Sequence, residues 1–197
     1  MRLPLLERIA MCVVVAVSCV LNLGQKLLCT VPQPADVSRA EYVNRYGCWS
    51  DVAALWNSRG LAQHVFPYVH GTWRGDPPVL GGGTVEYPTA TGVWVWLTAL
   101  PVDSVRGFLV VTAVVAAVLA VLVTLALQRI AGRRAWVFAA TPPLALYAVY
   151  NWDLLPVACT VAALLVATAA PGPGDPCCDG GSPGRSSGWA APASSTR

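Results

Sequence analysis

Apolar residues run almost unbroken from Ile9 to Leu28, then give way to a polar stretch over 29–86. Apolar runs return at 90–101, 107–127, 135–150 and 154–170. A helix rises 1.5 Å per residue, so about 20 apolar residues cross the ~30 Å hydrocarbon layer. The first run and Gly107–Leu127, 21 residues without a charge, satisfy that length. The pattern predicts an all-α integral membrane protein with about four to five transmembrane or re-entrant helices. Their spans lie at about 9–28, 87–102, 107–128, 135–150 and 153–170, with a long outer loop, 29–86, that carries short helices. Pro142-Pro143 should kink the fourth segment, because an internal proline removes a backbone donor and crowds the preceding turn.

Orientation follows from the basic residues. Arg2 and Arg8 precede the first run and few cations follow it directly, which places the N-terminus in the cytoplasm of a multi-pass cell-membrane protein. Ala16-Val17-Ser18 before Cys19 also fits a cleaved leader, but the apolar run continues through Leu28 and further spans follow, so an anchor is the better reading. The cluster Arg129, Arg133, Arg134 raises a question of parity. A full crossing by 85–102 puts that cluster outside; a re-entrant segment puts it in the cytoplasm, with Asn151-Trp152-Asp153 outside beside Asp51. A full second crossing is slightly preferred, because the charge rule is statistical.

Composition narrows the classes. Of 197 residues, 55% are hydrophobic and 12% charged, which points to membrane. A scattered net charge of +3 argues against a nucleic-acid partner. Of the 13 basic residues only Lys26 is a lysine, a bias that suggests GC-rich coding. From Pro171 to Arg197 the chain is rich in Pro, Gly, Ser and Ala and lacks an apolar period, so a disordered tail is expected; a reading-frame shift gives such a tail. Cys29 and Cys48 fall on the exported side, where a disulfide is chemically allowed, although one pair in a loop does not establish it. His64 and His70, six apart and without acids or cysteines at ligand spacing, are read as surface residues, so no metal and no cofactor is expected. Gly81-Gly82-Gly83 is read as a flexible linker.

The polar loop holds one stretch where chemistry concentrates, Cys48 to Gly60. Ser50 or Asp51 can cap a helix whose apolar positions are Val52, Leu55 and Trp56 and whose stop is Gly60. Asp51 and Arg59, eight apart, fall on broadly the same side of it. A cap and a solvated arginine explain these two residues on spacing alone.

Trp49-Ser50-Asp51-Val52 with Leu55-Trp56 and Arg59-Gly60-Leu61, then Phe66-Pro67-Tyr68-Val69, Glu86-Tyr87-Pro88 and Asn151-Trp152-Asp153-Leu154-Leu155 follow one another in order. The set resembles the N-terminal part of polytopic bacterial membrane glycosyltransferases of the GT-C superfamily, in the branch called glycosyltransferase family 87. The resemblance covers roughly 1–170. It implies transfer of a sugar from a polyprenyl-phosphate donor to an acceptor on the outer membrane face, with the lipid bilayer and the polyprenyl-phosphate-linked sugar as partners. Asp51 matches the acidic residue of the first outer loop and would be the catalytic base. Arg59 would steady the phosphate leaving group, and Glu86, Tyr87 and Asp153 would bind substrate. Members carry many more membrane helices, so the chain is expected to be an N-terminal fragment, inactive by itself. Open alternatives are a non-catalytic membrane protein, a transporter fragment, or an inactive truncated copy.

Overall fold

The computed structural model describes residues 3–169 apart from His70, Pro77, Gly82 and Thr84. The expected disorder and frame shift of 171–197, and the reading of His70, lie outside the described residues. Among the described residues the fold is helical, with one short hairpin. Helix α1 spans Leu5–Leu27 and α5 spans Val105–Ala131. These two are long and apolar enough to cross a membrane.

Polar groups pin both ends of α1. Near its start Arg8 Nε donates to Gln128 Oε1 (3.2 Å), and Glu7 forms an ion pair with Arg133 and accepts from Trp136 Nε1. Near its end Asn22 Oδ1 accepts from the Val149 backbone N–H (2.7 Å). The N-terminus of α1 therefore meets the C-terminus of α5, and the two pack antiparallel. Met11, Val15 and Cys19 of α1 are buried in the same core as Phe108, Leu109, Ala113 and Ala120 of α5. Alanines on that face of α5 let the backbones approach, as membrane helix interfaces favour.

Between α5 and the last helix the chain runs back along α1 in broken form. Trp136–Ala139 (α6) and Pro142–Tyr147 (α7) are separated where the two prolines begin the second piece. Pro142 occupies a first-turn position, where its missing N–H costs nothing. Helix α8, Leu154–Ala169, then packs against α5.

Several expectations need correction. The helix expected over 87–102 is shorter: α4 covers only Thr89–Ala99, 11 residues that rise about 16 Å, roughly half the thickness of a hydrocarbon layer. Pro88 opens it and Pro101 follows it, so it cannot extend far in either direction. Cys29 and Cys48, a pairing the sequence left open, are joined in a disulfide, with Cα atoms 5.5 Å apart. The glycine run is not a free linker. Gly81 ends the strand β2 (Val79–Gly81), which pairs antiparallel with β1 (Thr72–Arg74). Gly83, at φ +59°, donates to the Arg59 carbonyl (3.0 Å) and accepts from the Tyr68 N–H (2.7 Å).

Candidate functional site

The short helices of the 29–86 loop hold the site. Helix α2, Arg39–Tyr46, begins at Ser38, whose hydroxyl accepts from the Glu41 N–H (3.2 Å). It ends at Gly47 in the left-handed region. Helix α3, Asp51–Ser58, starts where the sequence predicted, with Val52, Leu55 and Trp56 buried. Its entry is held differently from the expectation. The Ser50 hydroxyl does not cap α3; it donates to the Val149 carbonyl (2.8 Å) and lies 3.3 Å from the Tyr150 carbonyl. The Asp51 N–H also donates to Tyr150 O (2.9 Å), and Asp51 Oδ1 accepts from Trp49 Nε1 (3.1 Å). The start of α3 is thus stitched to the 149–150 turn.

Residues 86–88 reach the same place. Tyr87 stacks edge-on against Trp152, centroids 5.6 Å apart, and Trp152 in turn contacts Phe108, which contacts Trp56. Burial first, and then the proximity of Asp51, Asp153, Glu86 and Tyr150, together push the Tyr87 phenol up to about 12. Four residues singled out from three separate motifs, Asp51, Glu86, Tyr87 and Asp153, therefore share one neighbourhood.

Arg59 does not stand open toward it. Its guanidinium forms an ion pair with Glu86, with Nε also donating to Oε2 (3.2 Å). The bidentate fork expected to face a phosphate is engaged with a carboxylate instead. Asp153 is exposed, with Oδ2 accepting from Asn151 Nδ2 (2.7 Å). Beside it lies a groove of about 400 Å³ lined by Phe138, Leu144, Tyr147, Tyr150, Leu154 and Asp153 itself. The Trp152 indole N–H is buried without a hydrogen-bond partner among the described residues.

The sequence reading missed two residues here. Tyr68 sits at φ +72°, and its hydroxyl donates to the Tyr87 carbonyl (2.8 Å). Only glycine fits opposite: a β-carbon at Gly92 would collide with that hydroxyl. Nothing in the sequence marks this approach. Lys26 is the other; as the only lysine, set inside an apolar run, it carried a visible signal. Among the described residues no three of His, Cys, Asp and Glu are placed to hold a metal ion. The chain matches no family model, no curated protein and no solved structure.

Proposed function

We propose that this chain is the N-terminal portion of a membrane glycosyltransferase, multi-pass with its N-terminus in the cytoplasm, that moves a sugar from a polyprenyl-phosphate donor to an acceptor at the outer face. The observation that carries it is the gathering of Asp51, Glu86 and Asp153 about Tyr87. A carboxylate at the mouth of a bundle can take the acceptor hydroxyl's proton as that oxygen attacks the anomeric carbon, and Asp51 is held for this by its helix and by the Trp49 indole. The apolar groove beside Asp153 suits an isoprenoid chain. The unpartnered Trp152 N–H is a buried donor of the kind that marks a binding site.

The bundle geometry supports the topology. Arg8 and Arg133 lie at one end, while Asp51, Glu86 and Asp153 lie at the other. With α4 entering only part-way, the arginines 129–134 share the side of Arg8, which the positive-inside tendency places in the cytoplasm. The broken α6–α7 segment and α8 then make the third and fourth crossings, and α4 is re-entrant.

Transfer of labelled sugar from a polyprenyl-phosphate donor, measured in the longer protein that carries this portion, tests the reading. Asp51→Asn keeps size and polarity but removes the proton acceptor, so transfer should fall about 10²-fold or more while expression holds. Near-normal transfer by Asp51→Asn overturns it.

A further inference from the structure

We infer that Lys26 forms an oxyanion-binding subsite of the phosphate class, beside Tyr150. The inference stands independently of the transfer reaction. Lys26 is 3% exposed at the end of α1. Its Nζ donates to the Gly47 carbonyl (3.0 Å) and lies 5.2 Å from the centroid of the Tyr150 ring. Neither neighbour carries a charge, and among the described residues no carboxylate pairs with this ammonium. Snorkelling does not explain the arrangement, because a snorkelling lysine puts its head in water. A buried cation without a counter-ion is costly; such a lysine sheds its proton, pairs with an acid or takes up an anion, and the pocket beside Lys26 favours the last.

Lys26 lines a pocket of about 350 Å³ together with Gln25, Asn44, Trp49, Tyr147 and Tyr150. Asn44, Tyr147 and Tyr150 in its lining are side chains that can donate hydrogen bonds. That combination suits a head with several acceptor oxygens, and lysine serves phosphate as a point charge. Pairing with the C-terminus of α2 is the competing account, since Gln25 Nε2 donates to Tyr46 O (3.2 Å) beside the Gly47 contact. It uses one of the three ammonium donors and compensates only part of the charge. The source is either free phosphate or the head of an amphiphile, and the neighbouring apolar groove shares Tyr147 and Tyr150 with this pocket.

The full chain in detergent is titrated with inorganic phosphate, octyl phosphate and octanol, followed by tryptophan fluorescence. Saturable binding of octyl phosphate but not octanol is expected; binding of inorganic phosphate with equal affinity would name free phosphate as the source. Lys26→Met should weaken binding at least tenfold and Lys26→Arg less than about threefold, because a charge-assisted hydrogen bond is at stake. If Lys26→Met does not fold, Asn44→Ala with Tyr147→Phe should weaken binding at least threefold. No saturable phosphate binding by the folded wild type overturns the inference. So does unchanged affinity in folded Lys26→Met, or in the double variant where Lys26→Met cannot be made.

Discussion

Tyr87 is the residue whose chemistry reports on the site. Its phenol is held up at about 12 against an ordinary value near 10. Between those values the unfolded chain gives up the proton while the folded chain keeps it. Stability linked to Tyr87 is therefore intact below pH 10 and falls as pH rises toward 12. Spectrophotometric titration should show one late phenolate step that Tyr87→Phe removes and that Asp51→Asn moves to lower pH. An unmoved step in Asp51→Asn would show that the carboxylate is not a neighbour. Tyr68 acts on the same residue through the backbone. Gly92→Ala should expel the Tyr68 hydroxyl from the Tyr87 carbonyl and destabilise the protein by about 1–3 kcal/mol, as overpacking does. Thermal unfolding measures it; an unchanged midpoint contradicts the tight approach. Asp51 was legible in the sequence because a short polar residue before Val52, Leu55 and Trp56 announces a helix start. Tyr68 was not, since a positive φ at a non-glycine residue has no sequence signature.

At the scale of elements, long and strongly apolar segments were the easiest to read. The run Gly107–Leu127 lies inside α5, and the proline pair does divide α6 from α7. Helix α2 was announced by Ser38-Arg39-Ala40-Glu41, a capping-box pattern, but the surrounding polarity hid it. The hairpin over 72–81 was unreadable because strands of three residues show no periodicity. α4 was over-extended because hydropathy does not register that Pro88 and Pro101 bound it. The disulfide closes a separation of 19 residues and joins the end of α1 to the end of α2. By loop entropy it stabilises the 29–86 region by about 3 kcal/mol. A Cys29→Ser, Cys48→Ser double variant should show that loss in denaturant unfolding, with wild type matching it under reductant. A variant as stable as the oxidised wild type would mean that the pair does not form.

For the whole molecule, the decisive arrangement is the meeting of distant segments at two opposite ends. Arg8 and Arg133 lie at one end, and Asp51, Glu86 and Asp153 lie at the other. With the N-terminus inside, Asp36→Cys should react with an impermeant thiol reagent on intact cells, whereas labelling only after lysis reverses the topology. The turn at 149–150 has a further consequence for the order of events during synthesis. Ser50 finds its partner, the Val149 carbonyl, 99 residues later in the chain, and the Asp51 N–H finds Tyr150 at the same distance. At roughly 5–20 residues per second the ribosome needs about 5–20 s to supply them. For that interval Asp51 has no fixed place, so its end of the bundle is assembled only after the segment that runs back along α1 has been made.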